Sequence, residues 1–304
     1  TVLSNPQPVF SGPTTARQKV TANDYQLLDF GDGRRLERFG PVTLDRPCPA
    51  AERLSPTRRE LWPQADARFE GCEDERGRWV DCRETPDRWT IAMGASRLEL
   101  KRTEFGHVGV FPEQAGNWTW IRQNVSPPLK VLNLFAYTGG STLAAAAAGA
   151  EVVHVDAAKN VVAWARRNAE LSGLSAAPIR WIVEDAMKFV QRELRRDNRY
   201  DAVILDPPSY GHGAHGEVWR LAKHLPRLLS LCAELTAGRF AFLLLTCHTP
   251  GYDAAVLREM VREAFGDGGD LTARPLAIST TDGRPLPSGV VVRMVSDSRL
   301  RGGR

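Results

Sequence analysis

Cysteine is sparse in this chain, and the five present (Cys48, Cys72, Cys82, Cys232, Cys247) include no C-x-x-C pair. An odd number of unclustered cysteines argues against a disulfide framework and against a structural zinc site. Neither G-x-G-x-x-G nor G-x-x-x-x-G-K-[ST] occurs, so the sequence offers no glycine cradle for a pyrophosphate or triphosphate at a helix N-terminus. No apolar run approaches the ~20 residues that a membrane span requires. The alanine-rich run 143–148 stops at Gly149 and reads as a buried helix. Residues 1–22 are polar and proline-rich without an apolar export core, and they read as a flexible lead-in to a cytoplasmic protein. Charge of one sign is also in short supply. Of the formal +4, residues 1–120 carry 17 Lys/Arg against 18 Asp/Glu, which leaves +5 on 121–304. A dedicated nucleic-acid module shows a denser basic footprint, so solvated surface charge accounts for the overall balance, while the basic cluster 192–199 fits a phosphate contact or a surface helix end equally well.

What is present is alternation. Short period-two segments (25–30 and 35–39 about Gly31-Asp-Gly33, then 79–80, 89–93 and 98–100) predict a small β-rich unit over 23–104. From residue 105 to 304 strands and helices alternate, the pattern of a doubly wound parallel α/β sheet. Strands are expected at 130–135, 151–155, 179–183, 201–205, 240–245, 273–278 and 289–295. Helices are expected at 141–148, 159–172, 185–196, 216–236 and 253–264. The last two strands join through Thr281-Asp-Gly283 as an antiparallel hairpin.

The landmarks fall where such a sheet binds ligands, at carboxyl strand ends. Asn133-Leu-Phe135-Ala136-Tyr137-Thr138-Gly139-Gly140 closes the first long strand on a tight glycine turn, and Asp156 ends the second, 23 residues after Asn133. An acid at about that distance is placed to hold two ribose hydroxyls. It could also cap the following helix, but paired with the glycine turn the ribose role is the better reading. Without a phosphate-binding pattern, the ligand is a nucleoside lacking phosphates, of which S-adenosylmethionine is the common one.

At this point the chain resembles the class I S-adenosylmethionine-dependent methyltransferases. Among them it is similar to the bacterial large-subunit ribosomal RNA cytosine-5 family, whose motifs "NLFAYTGG", "VDxSKxxxxWAxxN", "DPP" and a late "SC/TC" correspond here to 133–140, Val155-Asp156 through Lys159 and Trp164 to Asn168, Asp206-Pro207-Pro208, and Thr246-Cys247. The resemblance spans about 105–296. It implies a seven-stranded Rossmann-like sheet, S-adenosylmethionine as cofactor and RNA, ribosomal in that family, as partner. The family's "GxFxDQR" segment, which closes over the methionine end of the cofactor, corresponds to 109–115, with Ala115 in place of the arginine. Phe111 and Gln114 are the cofactor contacts that follow.

Each remaining site residue carries two readings. Lys159 lines the cofactor pocket or is a solvated helix lysine. Asp185 accepts from the adenine amino group or caps the next helix, and the two are compatible. Asp206 sits before two prolines that remove backbone donors and hold the loop extended, so that its carbonyls face a base edge, with Ser209 and Tyr210 beyond. Amino-nitrogen methyltransferases carry an aromatic directly after the two prolines, where this chain has Ser209. Cys247 is a buried inert thiol or a nucleophile adding to cytosine C6 so that C5 can be methylated. The second role needs a nearby cation to lower its pKa, and the resemblance places the family's catalytic cysteine here. His212 or His215 could act as a local base, and His248 is expected to point away from the thiol. Trp118 and Trp120 read as core. The expected activity is methylation of RNA at cytosine C5 through Asp206 and Cys247. The alternatives are nitrogen methylation of a purine at the 206–210 loop without a covalent step, and a non-catalytic nucleoside- or RNA-binding module.

Overall fold

The computed structural model describes residues 24–72, 76–212 and 216–297, without the side chain of His212. The lead-in 1–22 and His215 lie outside the described residues. The chain opens with β1 (Tyr25–Gly31), β2 (Arg34–Phe39), β3 (Val42–Pro47), β4 (Ala67–Glu70) and β5 (Arg78–Asp81), which form one five-stranded sheet in that order. Asp32 and Gly33 both take positive φ, 51° and 73°, the two-residue turn whose twist suits a tight hairpin. It sets Tyr25 opposite Phe39 and Gly31 opposite Arg34. A second hairpin, β6 (Arg88–Met93) with β7 (Ser96–Lys101), follows.

Then come α1 (Ala115–Asn124), β8 (Lys130–Leu134), α2 (Gly140–Ala147), β9 (Glu151–Asp156), α3 (Lys159–Leu171), β10 (Ile179–Val183), α4 (Ala186–Arg195) and β11 (Ala202–Leu205). A small hairpin, β12 (Tyr210–His212) with β13 (Val218–Arg220), precedes α5 (Leu221–Thr236), β14 (Phe242–Cys247), α6 (Ala254–Phe265), β15 (Gly269–Ser279) and β16 (Pro285–Ser296). The large sheet runs β10-β9-β8-β11-β14-β16-β15. Its first five strands are parallel and its last two antiparallel. The expected seven-stranded doubly wound sheet with its closing hairpin is the one observed.

Strand burial explains the layering. Leu132, Leu134, Val203, Leu205, Leu243 and Leu245 face one core with α4, α5 and α6. Val131, Ala202, Ile204, Phe242 and Leu244 face the other, which also holds Leu143 of α2, Ile121 of α1 and Leu27, Phe39 and Leu44 of the first sheet. Alternation along each strand sends successive side chains to opposite faces, so both faces need helices. The β-rich unit shares the second core, and Arg284 stacks on the Phe30 ring at 3.6 Å.

Two elements depart from expectation. The helix expected over 216–236 begins only at Leu221. In β13 just Trp219 is buried, between exposed Val218 and Arg220, which is a strand period. Helix α1, unanticipated, buries Asn117, Trp118 and Ile121. Trp118 is core as expected, and Trp120 packs edge-on against Phe242.

Candidate active site

Leaving β8 the chain moves outward through β9 and β10, then returns to place β11 on the other side of β8. The loops after β8 and β11 therefore diverge, and the crevice between them is where sheets of this kind take ligands. The β8 loop is built under strain. Phe135 and Tyr137 hold φ of 54° and 47°, and Gly139 caps α2 at 93°. Left-handed non-glycine residues cost about 1–3 kcal/mol each and persist only where surroundings over-determine them. Here they do. Ala136 N–H donates to Val155 O, and Tyr137 N–H donates to Asp156 Oδ2 at 2.9 Å. Thr138 Oγ1 donates to Gly109 O at 2.7 Å, tying the segment before α1 over the loop.

Asp156 also accepts from Ala158 N–H at 3.0 Å through Oδ1. Each carboxylate oxygen thus keeps a free lone pair, and burial pushes the carboxyl pKa up against those two backbone donors. Phe111 packs its ring on Tyr137 at 5.2 Å, and Phe135 packs on Trp219 at 4.8 Å. The strained loop, the partly free acid and the flanking rings fit an adenosyl group. Gly140 starts α2 where a Cβ would lie 2.4 Å from the Trp118 ring.

Two residues expected at the cofactor, Asn133 and Lys159, stand elsewhere, and a third, Asp185, takes the cap role that is compatible with a ligand contact. Asn133 is 2% exposed and donates to Thr142 Oγ1, which in turn bonds His154 Nδ1 at 2.9 Å. It holds α2 against the sheet and does not face the crevice. Lys159 is solvent-exposed at the start of α3, the solvated reading. Asp185 caps α4, accepting from Lys188 N–H at 2.9 Å; this leaves its second oxygen for a ligand.

Around Asp206 the structure assembles more than the sequence disclosed. Thr246 Oγ1 donates to Oδ1 at 2.6 Å, Gln114 Nε2 donates to Oδ2 at 3.0 Å, and His248 Nε2 lies 3.3 Å from Oδ1. Asn117 donates to Gln114 Oε1, so Gln114 is fully committed to this network. Burial raises the Asp206 pKa, but the hydrogen bond and charge of His248, with Thr246 and Gln114, outweigh it and hold the carboxyl below its ordinary range. For His248 burial lowers the pKa, yet Asp206 and the charge of Glu113 outweigh it and lift the imidazole to about 9. The site is therefore an imidazolium–carboxylate pair at neutral pH. His248 points away from the thiol as expected, but the sequence reading assigned no role to it or to Thr246, Asn117 and Glu113. The signal available was period two: Thr246 and His248 share a face, and Asp206 faces them.

That period also corrects the thiol. Cys247 turns to the opposite face from Thr246 and His248, is 1% exposed, and lies in the apolar core with Leu243 and Leu245. Burial pushes its pKa up, the Asp206 charge adds to this, and only Thr249 opposes it. The anticipated activating cation is absent from these influences, because His248 is held by Asp206 and Ser288 O. The loop carbonyls are corrected too. Pro208 O accepts from Trp219 Nε1 at 2.7 Å and Ser209 O from Leu221 N–H at 3.0 Å, so both are spent inside the hairpin. Pro207 is buried, whereas Pro208, Ser209 and Tyr210 are exposed. Tyr210 is 52% exposed.

A doubly wound sheet with an acid-terminated second strand and an Asp-Pro-Pro crevice defines a nucleoside-cofactor transferase site. Comparison with known proteins makes this specific: residues 59–265 match the S-adenosylmethionine-dependent methyltransferase family, and the chain belongs to it. S-adenosylmethionine is its cofactor. A solved S-adenosylmethionine-dependent methyltransferase from Agrobacterium tumefaciens is 42% identical, with 90% of each chain covered and a TM-score of 0.84. Among curated relatives, ribosomal RNA large subunit methyltransferase I of Aeromonas salmonicida is 36% identical over 34% of this chain and 27% of its own length. Ribosomal RNA large subunit methyltransferase K/L of Cellvibrio japonicus is 31% identical over 44% of this chain and 18% of its own. The match thus spans less than a third of these relatives. Among the described residues, no helix is long and apolar enough to cross a membrane.

Proposed function

We propose that this enzyme methylates a base of large-subunit ribosomal RNA, transferring the methyl group directly to a base nitrogen presented at Asp206–Tyr210. The observation that carries this reading is the Asp206 carboxylate, held by Gln114, Thr246 and His248 and followed by the half-exposed ring of Tyr210. The names of the relatives in Aeromonas and Cellvibrio support RNA as the substrate.

S-adenosylmethionine supplies an electrophilic methyl on a sulfonium. Asp156 binds the ribose hydroxyls, Phe111, Phe135 and Tyr137 flank the nucleoside, Ala136 to Gly140 supply the backbone turn beneath it, and Asp185 takes the adenine edge. A base drawn out of the RNA stack, as chemistry on a base requires, rests on Tyr210 and donates to Asp206. The base nitrogen gains the methyl carbon, the sulfur–carbon bond breaks, and the nitrogen's proton leaves to water. Because Asp206 is paired with an imidazolium, it orients the base and is a poor proton acceptor.

A second reading, cytosine C5 methylation through Cys247, has one observation of its own. Ser209 Oγ and Thr249 Oγ1 lie 2.7 Å apart, and Thr249 also bonds the thiol, so Cys247 is linked to the substrate loop. Variants separate the two. Under direct transfer Cys247→Ser keeps activity on unmodified large-subunit RNA within a few-fold, whereas Asp206→Asn loses it by on the order of 100-fold (~2.7 kcal/mol). Loss of activity in Cys247→Ser with retained cofactor affinity, plus a trapped adduct on 5-azacytidine RNA, would replace the first reading by the second.

A further inference from the structure

Beside the substrate loop lies a set of cations that the transfer itself does not use. In the β12–β13 hairpin Tyr210 pairs directly with Arg220, so the two side chains stand on one face, and both residues are exposed. Arg220 is the residue before α5, and its backbone N–H donates to His224 Nδ1 at 2.9 Å, which fixes it at the helix start. Lys223 and Arg227 follow at spacings of three and four residues. The four-residue spacing of Lys223 and Arg227 sets those two side chains in line on one helix face, and both are exposed while Leu225, Leu228 and Leu229 are buried behind them. Lys223 and Arg227 lie about 6 Å apart along the helix axis, with Arg220 just before the helix start. Glu217, three residues before Arg220, is held by Lys188. Among the described residues, Arg220, Lys223 and Arg227 enter no ion pair, unlike Arg34, Arg46, Arg59, Arg78 and Arg239, which each hold an acid.

We infer that Arg220, Lys223 and Arg227 form a phosphate track for the RNA strand flanking the target base, continuous with the stacking face of Tyr210. This rests on the RNA reading above and adds to it a docking surface on this chain. An aromatic ring beside a line of unpaired cations is the arrangement by which proteins hold single-stranded nucleic acid: the ring takes a base face and the cations follow the backbone. The cations stand beside the substrate loop, since Arg220 pairs directly with Tyr210.

The test is filter binding of an unmodified large-subunit ribosomal RNA transcript over a salt series, using the full chain. The triple variant Arg220→Gln/Lys223→Gln/Arg227→Gln is expected to bind at least about tenfold more weakly at 0.1 M salt. Its dependence of log affinity on log salt should be shallower by about 2, at ~0.7 per lost phosphate contact on a single strand. S-adenosylhomocysteine affinity should stay within twofold, which verifies folding. A control removing three cations at Arg38, Arg53 and Arg97 should leave the RNA slope near the wild-type value. Equal slopes and affinities for the wild type and the triple variant, with wild-type methyl transfer intact, would overturn the track while leaving the RNA reading standing. Absence of any RNA affinity or methylation in the wild type would overturn both.

Discussion

Asp156 and Asp206 show how differently two strand-end acids are used. Asp156 accepts one backbone N–H on each oxygen and retains lone pairs toward the crevice. Asp156→Ala should therefore weaken S-adenosylmethionine binding by about 1.5–3 kcal/mol, the range for hydrogen bonds to a charged group. Titration calorimetry on the folded variant checks this, and unchanged affinity would remove Asp156 from the ribose. Asp206 is locked to His248, and the pair has a pH signature. The His248 pKa stands at about 9 against the direct effect of burial, through Asp206 and Glu113. Its stabilisation is then fully present below about pH 6.5, its unfolded value, and is lost as pH rises through 9. The Asp206 side, held low, persists until strongly acid pH. The melting-temperature gap between wild type and His248→Gln should stay constant near pH 6 and narrow toward pH 9.5. A gap independent of pH over that window would contradict the pairing. At this scale the sequence marked Asp156 and Asp206 through spacing and the following prolines. Motif position does not say which face of a strand a side chain takes, so the motif that includes Asn133 did not show that its side chain turns to α2, and Cys247 kept both of its readings.

At the scale of elements, glycine placement decides how closely the pieces approach. Gly109 has φ of 99°, and a Cβ there would lie 2.1 Å from the buried Trp164 ring of α3. That contact, the Thr138 bond to Gly109 O and the Gln114 bond to Asp206 hold the segment carrying Phe111 and Gln114 over the crevice. Gly109→Ala should cost about 2–5 kcal/mol from overpacking plus backbone strain, read by urea denaturation. A loss under 0.5 kcal/mol would show that the segment can shift. The parallel strands were readable because buried strands are continuous apolar runs bounded by turns. The hairpin before α5 was not. Three residues with one buried tryptophan give too short a period to compete with the helical run that follows. Helix α1 escaped notice because its sequence mixes polar and aromatic residues without a clean stripe, and its shape comes from packing Trp118 against Gly140 and Ile121 into the shared core.

Across the whole molecule the β-rich unit and the large sheet contribute to a single apolar cluster, from Leu27 and Phe39 to Phe242 and Leu276. The chain should accordingly melt in one calorimetric transition, with van't Hoff and calorimetric enthalpies in agreement. Two separated transitions would show that the units fold independently. The architecture was legible from the alternation of strands and helices. The union of the two units was not, since contacts such as Arg284 on Phe30 link residues 254 apart in sequence and have no local signal. The proposed reaction is direct methyl transfer to a base nitrogen of large-subunit ribosomal RNA at the Asp206 loop. Its most direct test is nucleoside mass spectrometry of unmodified large-subunit RNA after incubation with the enzyme and isotope-labelled S-adenosylmethionine. The account predicts label in one nitrogen-methylated nucleoside, lost with Asp206→Asn; label in 5-methylcytidine, or none in any nucleoside, would contradict it.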